Sequence, residues 1–180
     1  MSGNYTEDAL VEQPAIALLG NLGWQTINCF EETFGSDGTL GRETSAEVVL
    51  VSRLRPALKK LNPQLPAPVI DLAIDELTRE RVSSGMVYAN LEIYKLLKEG
   101  VKVLYRDEDG AECSETVRVV DWEHPLKNDF LLASQFWISG EMHKRRADLL
   151  GFVNGIPLLF IELKASHKNV TTLPKEPTRL

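Results

Sequence analysis

Asp148, Glu162 and Lys164 are the residues whose types and spacing could do chemistry. They lie in RADLLGFVNGIPLLFIELKA, Arg146 to Ala165, where two apolar runs meet at Asn154-Gly155. Charge set into apolar sequence is costly unless it is paired or binds a metal. Side chains alternate along a strand, so Glu162 and Lys164 share one surface with Leu158 and Phe160, while Leu159, Ile161 and Leu163 face the other way. Asn-Gly between apolar runs is the strongest short hairpin signal, because both residues tolerate the positive φ of a type I′ turn. Folding back at that turn brings Asp148 roughly opposite Glu162. Two carboxylates and an ammonium group then converge at one edge of a sheet.

Two hard oxygen anions suit Mg²⁺ or Mn²⁺. Such an ion polarises a phosphate oxygen and lowers the pKa of a bound water. A lysine beside it can orient that water, stabilise charge developing in the transition state, or act as a base if burial and metal depress its own pKa. Metal-assisted phosphodiester hydrolysis is the reaction class that uses all three groups. The competing reading is an ordinary cross-strand or surface ion pair, worth about 0–1 kcal/mol if exposed. Against it stand the Leu-Leu-Phe-Ile run before the triplet and the Asp on the partner strand. Glu162 is also the only acid in the chain with Lys two positions on.

The elements that must position these groups follow from periodicity. Apolar spacing predicts a helix from Thr6 to Leu22, with Pro14 starting or kinking its main part, and a polar Gly-containing loop after it. Further helices are expected over about 43–61, with a bend at Pro56, and over about 67–82 and 85–98. The period then changes to that of strands. VKVLYR and TVRVVDW flank a turn-like DEDGAECSE, DFLLASQFWIS reads as another strand, and the hairpin comes last. Helices first and strands later indicate an α/β domain, a mixed β-sheet flanked by helices. The tail 169–180 shows no periodicity and reads as a linker or a plain terminus.

At 180 residues the chain suits one domain, about 1–168, with a helical block at 43–98. Its 43% apolar and 26% charged residues are those of a soluble globular protein, and no apolar run nears the roughly 18 residues of a membrane span. With no signal peptide and two distant cysteines, Cys29 and Cys113, the expected location is cytoplasmic, with no disulfide framework. A net charge of −6 argues against a free-standing binder living on bulk attraction to phosphates. The charge is uneven: residues 1–50 hold eight acids and one base, Arg42, whereas His143-Lys144-Arg145-Arg146 is a basic cluster just before Asp148. A basic run is usually a solvated face, and its position beside the acidic pair keeps Lys144, Arg145 and Arg146 as candidate DNA contacts. Gln135, sharing a strand face with Trp137, is another. Asn128 reads as turn chemistry, and His124 has no metal partner at useful spacing.

An Asp followed across a hairpin by Glu-x-Lys resembles the PD-(D/E)XK nuclease core. The surrounding sequence resembles one branch more closely, the N-terminal domain of the restriction subunit of type I restriction-modification enzymes. TEDALVEQPAIALLGNLGW, LRPALKKLNP, VVDWEHPLKNDFLLASQFWI and RRADLLGFVNGIPLLFIELKAS carry the likeness, in the family's order and up to about Lys168. The resemblance implies a restriction-endonuclease-like fold and Mg²⁺-dependent cleavage of double-stranded DNA. In it Asp148 and Glu162 hold metal, the backbone carbonyl of Leu163 adds a ligand, and Lys164 serves the attacking water. A glutamate on the first helix often joins such sites. Glu12 is the candidate, with Glu7 behind it; its alternative role is to complement the helix dipole.

The resemblance also implies ATP-driven motor domains elsewhere in the same subunit, and partner subunits for methylation and sequence specificity. No G-x-x-x-x-G-K-[ST] occurs here, so ATP is used by the full-length subunit and not bound by this segment. Two departures from the pattern stand out: Ala147 replaces the Pro that usually precedes the first catalytic Asp, and no Gln-x-x-x-Tyr follows the triplet. Two rival functions keep part of this picture. One is a silent docking or regulatory module of the same complex, and the other a stand-alone resolvase-like nuclease, which a sequence pI near 5.2 disfavours.

Overall fold

The computed structural model describes residues 11–81, 85–107, 109–140 and 144–164. Glu7, His143, the tail and the first residues of the predicted opening helix lie outside them. Among the described residues four α-helices, α1 (Gln13–Asn21), α2 (Val51–Leu61), α3 (Ala67–Thr78) and α4 (Met86–Glu99), accompany six strands. These are β1 (Gln25–Asn28), β2 (Val101–Arg106), β3 (Glu112–Val117), β4 (Phe130–Ser139), β5 (Lys144–Val153) and β6 (Ile156–Ile161). The main sheet runs β1-β4-β5-β6 and is mixed, with β1 parallel to β4 and the other neighbours antiparallel; β2 and β3 form a separate ribbon. The expected α/β architecture is therefore present.

Two clusters hold it together. One, with Leu54, Leu58, Val69, Ile70, Ile74, Val101 and Val117, joins α2 and α3 to the ribbon. The other, with Leu50, Leu131, Ala133, Phe136, Leu150 and Phe152, covers one face of the main sheet. On the opposite face Gly151 is required: a Cβ there would meet the Trp24 ring at 2.9 Å and Leu159 Cβ at 3.0 Å. The hairpin turn is as expected, with φ of 52° at Asn154 and 80° at Gly155. What periodicity does not reveal is that Asn154 is fully buried. It accepts from Asp129 N–H and donates to the carbonyl of Val119 and to Asn128 Oδ1, tying the turn to the loop ahead of β4.

Four elements differ from the sequence expectation, one of them only at its end: the helix expected over about 67–82 stops at Thr78, where Arg79 turns to extended backbone. The helix expected from 43 begins only at Val51, because residues 43–50 serve other partners: Ser45 receives Ser139 N–H, and Leu50 N–H reaches the carbonyl of Gly155. The return strand of the ribbon starts at Glu112, earlier than TVRVVDW, since Asp107 Oδ1 accepts from the N–H groups of Asp109 and Ala111 and closes a tight turn. Val119 and Val120 are buried core residues outside any strand. Strand β1 went unpredicted; four residues, mostly exposed and next to a glycine-rich loop, leave little pattern to read.

Candidate active site

The site is built by register. Next to the turn Val153 pairs with Ile156 and Phe152 with Pro157, but further along Gly151 pairs with Leu159, Leu150 with Phe160 and Leu149 with Ile161. Leu158 is the extra residue, a β-bulge in β6. Continued one step past Leu149–Ile161, the register sets Asp148 opposite Glu162. Without the bulge Asp148 would oppose Ile161, and the period of two would turn Glu162 and Lys164 to the other face.

Asp148 is half-buried, while Glu162 and Lys164 are exposed just beyond the end of β6. The expectation that the preceding apolar run is buried does not hold throughout. β6 is an edge strand, and its Leu158 and Phe160 are 43% and 56% exposed. Leu163 donates its N–H to Asp148 Oδ2 at 2.8 Å, which docks the Glu-Leu-Lys segment onto the first carboxylate. Desolvation, then the negative charge of Asp148 and hydrogen bonding to it, push the Glu162 carboxyl above the ordinary glutamate value. Lys164 and Arg145 pull it partly back. Two carboxyl groups this close cannot both stay ionised cheaply without a proton or a cation between them.

On the other side of β5, Ser134 pairs with Leu149 and Phe136 with Ala147, leaving Gln135 across from Asp148 and unpaired. Gln135 has φ 57°, a left-handed conformation within a strand. Its Nε2 donates to Glu12 Oε2 at 2.8 Å, where Glu12 is buried at the start of α1. The left-handed residue breaks the simple alternation by which Gln135 was expected to share a face with Trp137. Among the described residues no three His, Cys, Asp or Glu side chains form a metal-binding group.

The basic segment divides by side. Lys144 Nζ lies 4.7 Å from the Trp137 ring centre, and the Arg146 guanidinium lies 5.4 Å from Trp137 and 5.2 Å from Phe30. Arg145, between them in sequence, contributes positive charge at Glu162 instead. Phe30 was missed because it follows the unpredicted β1; an exposed aromatic two residues from a strand end is the signal that could have found it. Elsewhere, His124 lies 3.6 Å from Asp121 Oδ1, and Asn128 is a buried hub that donates to the carbonyls of Asp121 and Pro125.

A mixed sheet with helices and a carboxylate pair on a bulged hairpin is consistent with a nuclease-like α/β domain. The comparisons agree. The family described as type I restriction enzyme R protein N terminus matches residues 4–173. Over 160 residues the chain is 39% identical to the type I restriction enzyme HindI endonuclease subunit of Haemophilus influenzae, an alignment that covers 86% of this chain and 14% of that one. Over 168 residues it is 31% identical to the "Putative type I restriction enzyme MjaIXP endonuclease subunit" of Methanocaldococcus jannaschii, covering 92% and 16%. The chain belongs to the type I restriction enzyme R protein N-terminus family, and it spans about a seventh of the length of these relatives.

Proposed function

We propose that this domain is the Mg²⁺-dependent endonuclease module of a type I restriction enzyme R subunit, hydrolysing phosphodiester bonds of double-stranded DNA. The observation that carries the reading is the Asp148–Glu162 carboxyl pair, aligned by the Leu158 bulge and flanked by Lys164. The residues fit a hard divalent cation: the available donors are carboxylate oxygens and the Leu163 carbonyl, and mutual repulsion leaves the pair in need of positive charge. Asp148, Glu162 and the Leu163 carbonyl would hold the ion, and Mn²⁺ would substitute for Mg²⁺. When bound, the ion supplies Lewis-acid stabilisation of the phosphate and acidifies a water.

The chain's own groups do the rest. The Leu163–Asp148 hydrogen bond fixes the segment that carries Glu162 and Lys164, so their spacing does not depend on the ion. Lys164 brings positive charge and a hydrogen-bond donor to the attacking water. Lys144 and Arg146, seated on Trp137 and Phe30, bind DNA phosphates, and Arg145 balances charge at Glu162. A net charge of −6 suits a module to which DNA is delivered by ATP-driven motor domains, with methylation and specificity subunits choosing the site. Among the described residues no helix is long and apolar enough to cross a membrane.

The test is plasmid cleavage by the full-length subunit in its complex with ATP, comparing wild type with Lys164→Ala. Cutting should be lost while translocation persists; unchanged cutting refutes the catalytic role of Lys164. In the silent-module reading, by contrast, Asp148→Ala leaves divalent-ion binding unchanged in calorimetry.

A further inference from the structure

Gln135 combines three features that the hydrolytic reading does not use. It is a non-glycine residue with φ 57° inside β4, although the residues on either side remain paired to β5. It occupies the register position across from Asp148. Its amide is spent on Glu12, a carboxylate only 8% exposed, at 2.8 Å. A left-handed conformation disfavours a side chain that carries a Cβ and a long stem, and such strain persists only where the surroundings fix it. A regular strand at this point would pair Gln135 with Asp148 and point its side chain wherever alternation dictates. The left-handed turn releases it from the ladder and delivers the amide to α1.

We infer that Gln135 is a positioning residue that holds the Glu12 carboxylate in line with the Asp148–Glu162 pair. The inference rests on the metal-dependent reading above. Register and the amide contact link four positions in order: Glu12 at the N-cap of α1, Gln135 on β4, Asp148 on β5 and Glu162 just after β6. An amide suits the task because it donates to a carboxylate without cancelling its charge, as lysine or arginine would. A cation held by Asp148 and Glu162 would have Glu12 as the next anion in that order. Partners of this kind, one step removed from the ligands, typically contribute 10–100-fold to metal affinity. The same contact links the start of α1 to β4.

The experiment is Mn²⁺ calorimetry on the nucleotide-free full-length subunit, taking as signal the binding that Asp148→Ala abolishes. Glycine adopts the left-handed backbone freely, so Gln135→Gly removes the amide while relieving β4 of strain. Gln135→Gly and Glu12→Ala should each weaken Mn²⁺ binding by about tenfold or more. The double variant should bind no more weakly than Glu12→Ala alone, because both changes break the same link. Thermal unfolding separates positioning from mere structure: Gln135→Gly should keep the wild-type Tm or exceed it while losing affinity. Wild-type affinity in Gln135→Gly, or losses that multiply in the double variant, overturns this inference and leaves the metal site standing. A wild-type subunit with no Asp148-dependent binding overturns the functional reading and this inference together.

Discussion

Glu162 stands across from Asp148 because β6 holds one more residue than β5 between the turn and the site, and that residue is Leu158. The bulge therefore decides which face carries the second carboxylate and the lysine. Deleting Leu158 should leave the Asn154-Gly155 turn intact and put Ile161 opposite Asp148. Glu162 and Lys164 would then turn to the other face. On the function proposed above, the expected outcome is a folded subunit that translocates but neither cuts DNA nor shows Asp148-dependent Mn²⁺ binding. A deletion variant that still binds Mn²⁺ would show that the bulge is not the aligning device.

The same pair makes stability depend on pH. The Glu162 carboxyl is raised above its ordinary value of 4.5, chiefly by desolvation and by Asp148. A raised acid takes up its proton more readily in the folded state. Its contribution is therefore fully present below 4.5 and is lost as pH rises through the raised value. Above that window the ionised pair opposes folding. Glu162→Gln should accordingly raise Tm at neutral pH without metal, and the gain should vanish in acid. On the proposed metal-binding reading, saturating Mn²⁺ should reverse the order, since it would bind the wild type more tightly. A Glu162→Gln variant less stable than wild type at neutral pH without metal would contradict this electrostatic account.

How much of this was legible beforehand depends on which signals are local. Asn154-Gly155 announces a turn because a turn is set by nearest neighbours, whereas Glu-x-Lys with an Asp on the partner strand marks only a candidate site. The face assignment of Glu162 could be read only approximately, since a bulge at an apolar Leu158 leaves no compositional mark. Gln135 looked like an outward strand residue because alternation assumes regular φ, and its own φ breaks that rule. Arg42 stood out as the one base among residues 1–50. Nothing adjacent says that it would be buried against Glu32. Contacts between residues far apart in sequence, such as Gln135 with Glu12, are invisible to a periodicity argument of any kind.

Arg42 carries the largest expected stability effect. Its guanidinium bonds Glu32 at 2.5 Å with both side chains essentially fully buried, donates to the carbonyls of Glu47 and Trp137, and stacks 3.9 Å from the Phe136 ring centre. Removing one member of a buried ion pair leaves the other charge unpaired, so Arg42→Ala should cost about 3–5 kcal/mol in chemical denaturation. Arg42→Lys should also destabilise, because an ammonium cannot reproduce the planar fork. The joint change Arg42→Met with Glu32→Leu should recover most of the loss, as apolar replacements of buried pairs often do. Equal losses in the single and joint variants would mean that packing, and not charge, governs the site.

The basic segment of β5 offers a final separation of roles. Lys144 and Arg146 rest on Trp137, with the Phe30 ring also beside Arg146, whereas Arg145 acts on Glu162. If the first two bind phosphates, Lys144→Ala and Arg146→Ala should each weaken DNA binding and flatten the log K against log salt slope by about 1. Trp137→Ala should produce part of both effects without removing any charge, because the ring positions the two cations. Arg145→Ala should instead move the pH dependence of Mn²⁺ binding upward, since a positive charge that lowers the Glu162 pKa has gone. Its effect on the salt slope should be smaller than that of either neighbour. If all three substitutions alter the slope equally and leave the Mn²⁺ pH profile unchanged, the segment is one undivided phosphate patch, and Arg145 has no distinct part in the site.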